Sequence, residues 1–321
     1  MRAILLSILL ALLFTGCGEK TQEKTLPQED ALQQAKAWVE ALDIDLNLIA
    51  QKGYGEKKRI AEILGVYWKF YHYASAKEQK QIKSKIKAFY QYTHKETYLN
   101  LSTLDDKAFR KNSMSFLRVM WILKEMGWDI RHLHKAFAKI KPRMDAHLAR
   151  RGPWQKSMFA RYYDDFGFDK PTSITEIKGA TGLIGAALPL AKYNTIRAYQ
   201  FTHQIFVAFN YGLASKQTRF NTQELGYIQH VFPSLIHHYQ KKKNWDLLAE
   251  LLSGMVYLKL TKNPEFEPAY QALIKAQNPN GSWGEYSQYR KKYGDSVELK
   301  YYLHTTGVAI ETLIEKMHRQ Q

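Results

Sequence analysis

The sequence predicts an all-α protein, an array of roughly a dozen paired helices in a single domain. Three observations carry this. From Gln28 onward, apolar residues recur at helical spacing. Between those segments stand helix punctuation marks: caps, glycines and prolines. No stretch alternates with period two, as a half-buried strand would. At 321 residues and 45 % hydrophobic, the chain is long and apolar enough to pack a sizeable core.

The chain opens MRAILLSILLALLFTGCGEK. Arg2 precedes an apolar run, Ala3 to Phe14, broken only by Ser7. That is the pattern of a secretion signal, and it is too short for a stable membrane-spanning helix. With Thr15-Gly16-Cys17 the segment resembles a bacterial lipoprotein lipobox, although Phe14 stands where Leu is commoner. The resemblance implies a signal peptide over 1–16 and Cys17 as the lipidated, palmitate-bearing first residue of the mature chain. Cys17 is also the sole cysteine, so no internal disulfide can form. In a Gram-negative host, Gly18 in place of Asp is similar to lipoproteins sorted to the periplasmic side of the outer membrane. Residues 17–27 are polar and read as a tether. The domain spans 28–321.

Pro27 suits a helix start, and Ala31, Ala35, Trp38, Val39 and Leu42 follow at helical spacing. Ile60 to Tyr73 is apolar on more than one face, hence well buried. Phe109 to Met126 ends at Gly127, and Ile130 to Ile140 ends before Pro142. Trp154 to Phe166 ends at Gly167, and Thr195 to Tyr211 at Gly212. Asn221 and Glu224 form a capping box, with Phe220 and Leu225 as a hydrophobic staple. The helix they start reaches about Tyr239, with a kink expected at Pro233. Asp246 to Leu260, Pro268 to Ala276 and Leu303 to Met317 complete the array.

The formal charge is +17 and 13 % of residues are aromatic, 21 of them Tyr. An exported lipoprotein does not meet nucleic acid. Its anionic partners are acidic glycans, lipopolysaccharide or lipid headgroups, or an envelope protein. The basic runs are spread along the chain, as on solvated helix faces.

Helix arrays either open into solenoids or close into rings, and no fixed repeat period is present. The loop AQNPNGSWGEY, residues 276–286, precedes a helix reading LHTTGVAIETL. This resembles the QW-type turn of the α/α-toroid superfamily, with Gln277, Gly281 and Trp283 as its pieces and Asn280 where Asp is commoner. One copy is present, covering about the last quarter of the chain. The resemblance implies an α/α toroid, complete or partial, with Gln277 tying down a helix end and Trp283 packing beside it.

It also excludes chemistries. The superfamily's zinc sites and thioesters need a domain cysteine, which is lacking here. Tyr162-Tyr163-Asp164-Asp165 lacks the first Asp of the cyclase acid motif. Polysaccharide lyases need a carboxylate neutraliser and an acid–base pair. His203, His304, Tyr211 and Tyr302 are the candidates, with Asn210 near the face of His203. A glycoside hydrolase needs two facing carboxylates, and neither Asp164 with Asp165 nor Glu285 with Asp295 supplies such a pair. Neither His132 with His134 nor His230 with His237 has metal-site spacing, so no metal or cofactor is expected. Gly179 to Gly185 follows no strand and reads as close helix packing rather than a phosphate loop. The residues favour a non-catalytic lipoprotein that binds an anionic envelope polymer or a protein partner. The alternative is a lyase-type glycan enzyme using His203 and His304.

Overall fold

The computed structural model describes residues 28–46, 56–175, 182–217, 219–294 and 299–319. The signal segment, Cys17, the tether, Gly179 to Thr181 and Asp295 lie outside the described residues. Within them the protein is all-α, with fourteen α-helices. These are α1 (Gln28–Glu40), α2 (Glu56–Tyr73), α3 (Ala76–Tyr92), α4 (Glu96–Leu99), α5 (Asp106–Glu125), α6 (Arg131–Leu148) and α7 (Pro153–Phe166). There follow α8 (Thr172–Thr175), α9 (Thr195–Ala208), α10 (Thr222–Lys241), α11 (Trp245–Tyr257), α12 (Phe266–Lys275), α13 (Tyr286–Tyr293) and α14 (Leu303–Arg319).

Six of them form a cycle of neighbours. Helix α2 packs on α5, α5 on α7, α7 on α9, α9 on α11, α11 on α14, and α14 returns to α2. Others lie against this cycle: α1 on α14, α3 on α2, α6 on α5, and α10 and α12 on α11. The sequence explains the division. In α11 every residue from Leu247 to Tyr257 is buried. In α3 only Ile86, Phe89 and Tyr92 are buried. A helix apolar all round needs neighbours on all sides, whereas one with a single stripe suits the outside. Glycine sets one crossing: a Cβ on Gly307 of α14 would meet Val66 of α2 at 3.2 Å.

Several elements differ from expectation. The Lys-rich stretch 76–92 is a full helix, started by a Ser75–Glu78 capping box. Helix α6 continues through Pro142 to Leu148 because Met144 and Leu148 extend the buried stripe of Phe137 and Ile140. That burial offsets the hydrogen bond the proline removes. Helix α10 runs through Pro233 as one element, as the sequence predicts. Helix α9 stops at Ala208, short of Tyr211: Asn210 and Tyr211 adopt left-handed φ of 51° and 53°.

The loop before α13 joins the two ends of the chain. Gln277 Nε2 donates to the Ala31 carbonyl of α1 at 2.8 Å and to the Gly281 carbonyl at 2.9 Å. Trp283 is fully buried; its indole N–H donates to the Leu273 carbonyl at 2.7 Å, and its backbone N–H to Thr306 at 2.8 Å. Gly281 has φ +89°, and a Cβ there would lie 2.3 Å from the Gln34 carbonyl oxygen. Only glycine fits that position.

Candidate functional site

Inside the helix cycle lies a narrow cavity, to which all six helices contribute. It opens at a mouth lined by Lys58, Arg110, Lys111, Arg151, Trp154 and Tyr199, among others. These residues sit at or near the N-terminal ends of α2, α5, α7 and α9. Helix N-termini carry partial positive charge, which adds to the five cationic side chains now including Arg118. The mouth is therefore electropositive, although the cavity interior carries carboxylates.

His304, one residue into α14, stands at the junction of mouth and interior, with 37 % of its side chain open. Its Nδ1 lies 3.4 Å from Glu62 Oε1 of α2. Its Nε2 lies 3.7 Å from Asp246 Oδ1 and 3.8 Å from Glu250 Oε1, both on α11. Burial alone would lower its pKa; Asp246, together with Glu250 and Glu62, outweighs burial and holds it up at about 9. His304 is thus an imidazolium at neutral pH. Burial pushes the Asp246 carboxyl up, while Tyr199 O–H donates to its Oδ2. Burial also acts to raise Glu250, but His203, His304 and the Thr202 hydroxyl outweigh it and the net shift is downward. Glu62 Oε1 and Asp246 Oδ1 are buried without a hydrogen-bond partner among the described residues.

His203 of α9 lines the same space. Its Nδ1 lies 2.7 Å from the Tyr199 carbonyl, which only an N–H can satisfy. Nδ1 therefore carries a hydrogen. Trp154 lies against the ring, centroid to centroid 4.7 Å.

Two guanidiniums face the interior. Arg118 of α5 forms no ion pair among the described residues, and it reaches across Gly65, where a Cβ would stand 2.9 Å from its Nη2. Arg161 of α7 lies over the rings of Trp121, Tyr162 and Tyr211 at 4.6, 4.8 and 5.4 Å, and donates to Asn210 Oδ1. Its Nε and second Nη are buried without a hydrogen-bond partner among the described residues. Arg161 Nε also lies 3.7 Å from Asp165 Oδ2, so Arg118 is the guanidinium of this pocket better placed to take a carboxylate or another planar anion.

The structure brings His203, His304 and Tyr211 into this one cavity and leaves Tyr302 out. Tyr211 donates its O–H to Met158 Sδ at 2.7 Å, and burial raises its pKa, so it remains a neutral phenol. Tyr302, two residues before His304, points elsewhere and packs edge-on against Trp38 and Tyr286. Asn210 bonds Arg161 instead of flanking His203. Glu62, Asp246, Glu250, Arg118 and Arg161 carry no sequence signal of a site; each occupies an ordinary helical position.

The remaining sequence candidates lie elsewhere. Asp164 pairs with Lys170 at 2.6 Å. His132 stacks on His94, and His134 bonds the Phe166 carbonyl. His230 and His237 are exposed on α10. Among the described residues no cluster of three or more His, Cys, Asp or Glu could hold a metal ion. None of their helices is long and apolar enough to cross a membrane.

Neither a curated protein nor a solved structure matches the chain. Residues 25–310, which span all six cavity-forming helices except the last residues of α14, match a family described as a domain of unknown function, DUF6895, and the chain belongs to that family.

Proposed function

We propose that the cavity is an acid–base active site for an acidic glycan, working by elimination at a uronate residue. One observation carries the reading. Two histidines from separate helices share a cavity with Arg118, a guanidinium without an ion-pair partner among the described residues. Arg118, with Arg161 beside it, neutralises the uronate carboxylate, which acidifies the neighbouring C–H. His203 Nε2 accepts that proton. The electron pair forms the new C=C bond and the glycosidic C–O bond breaks. His304, held protonated by its carboxylates, gives its proton to the departing oxygen. The basic mouth draws in the polyanion.

A second reading rests on that mouth alone: capture of an anionic envelope polymer or an acidic protein partner without turnover. Incubation with a panel of uronate polymers separates the two. Elimination creates an unsaturated sugar, visible as new ultraviolet absorbance. Salt-sensitive binding without that absorbance supports capture. Neither binding nor absorbance overturns both.

The helix cycle closing from α14 onto α2 supports an α/α-toroid arrangement, with the Gln277–Trp283 turn at its seam. The lipobox supports an envelope location through Cys17, at the outer membrane in a Gram-negative host. Detergent partitioning that persists in Cys17→Ser sinks this anchor.

A further inference from the structure

The far end of the cavity is closed by a buried ionic partition. Lys69, late in α2, lines the cavity floor with Glu311 and Tyr211. The Lys69 side chain is 4 % exposed, and its ammonium donates to Glu315 Oε1 at 2.7 Å and to the Tyr211 carbonyl at 3.2 Å. Glu315 is fully buried and also accepts from Arg319 and, at 3.1 Å, from Tyr73. Arg319 donates onward to the Gly212 carbonyl. Beyond this layer a separate depression on the opposite face is lined by Tyr73, Gly212 and Arg319. No residue of that depression lines the cavity.

The partition is bonded throughout. Burial would push the Glu315 carboxyl up, but Lys69 and Arg319 overcome it and hold it ionised. Opening the layer would strand a buried charge, which costs several kcal/mol. From Lys58 at the mouth to Lys69 at the floor is eleven residues of one helix, roughly 16 Å of depth. A polymer cannot thread a space closed at its floor by Lys69 and Glu315, so a chain enters it only by its end.

We infer that the cavity is a dead-end receptor for the end of an acidic glycan chain, so that the protein acts from a chain terminus and not within the chain. This rests on the acidic-glycan reading of the site, and its test separates the two. The full-length Cys17→Ser protein is titrated with oligogalacturonate and oligomannuronate of increasing length, following the fluorescence of Trp68, Trp121 and Trp154, which line the cavity or its mouth. Terminal binding makes affinity constant per chain end: a roughly tenfold longer chain needs roughly tenfold more mass for half-saturation. Where turnover occurs, short products appear from the first time points. Affinity constant per unit mass, or early release of long fragments, overturns the dead-end receptor and leaves the acidic-glycan reading standing. Failure of every uronate probe to bind overturns both.

Discussion

The two ends of the helix cycle use the same residue types to opposite effect. At the sealed end, Lys69, Glu315, Arg319 and Tyr73 bond to one another, and Glu315 is fully buried. At the open end, Glu62 and Asp246 each keep a carboxylate oxygen without a hydrogen-bond partner among the described residues. Arg118 there forms no ion pair among the same residues. Buried charge that is paired and bonded holds structure together, whereas a guanidinium with no ion-pair partner is placed to meet the anion of a ligand. Sealed and open ends should therefore separate stability from function.

The largest expected effect is at the sealed end. Glu315→Ala strands the Arg319 charge, leaves Lys69 only Glu311 at 3.5 Å, and should cost about 3–5 kcal/mol of stability, read by urea denaturation. A loss below ~1 kcal/mol would mean that the partition relaxes or floods, and the contrast would fail. Next, His203→Ala at the open end should lower elimination roughly 10²–10⁴-fold while the urea midpoint barely moves. Equal losses of stability and rate would make His203 structural.

A smaller effect sharpens the contrast further. Arg118→Gln should weaken binding of a uronate oligosaccharide about 10–100-fold, the worth of a charge-assisted pair. The same change should leave stability unchanged or raise it by up to about 1 kcal/mol, because a cation without an ion-pair partner is removed. A clear loss of stability in that variant would place Arg118 with the sealed-end ions.

The smallest effect concerns pH. The His304 pKa is about 9 in the folded protein, above the ordinary 6.5, because Asp246, Glu250 and Glu62 outweigh burial. Its contribution to stability is fully present below the ordinary value and declines as pH rises through about 9. The thermal midpoint should therefore fall across that interval, and His304→Asn should flatten the decline. An unchanged slope in the variant would assign the decline to other groups.

Much of the helix content was legible in the chain. The Asn221–Glu224 capping box forms as written, and Gly167 ends α7 with φ +70°. Trp283 packs at the junction where its turn places it. Helix α3 was hidden because three buried residues in a Lys-rich stretch give a weak periodic signal. Pro142 misled because local propensity is small beside the burial that carries α6 onward.

The cavity was half legible. His203 and His304 stood out as histidines on aromatic-rich helices, and both line it. Their partners did not stand out. Glu62, Asp246 and Glu250 lie on α2 and α11, far apart in sequence from His304, and each resembles a surface carboxylate until the helices meet. The sequence by itself determined the all-α class, the start of most helices and the turn that buries Trp283, because caps, glycines and apolar spacing act over a few residues. The tertiary structure alone decided which charges face one another and which end of the cavity is closed, because those depend on contacts between residues up to 246 positions apart, which no local pattern encodes.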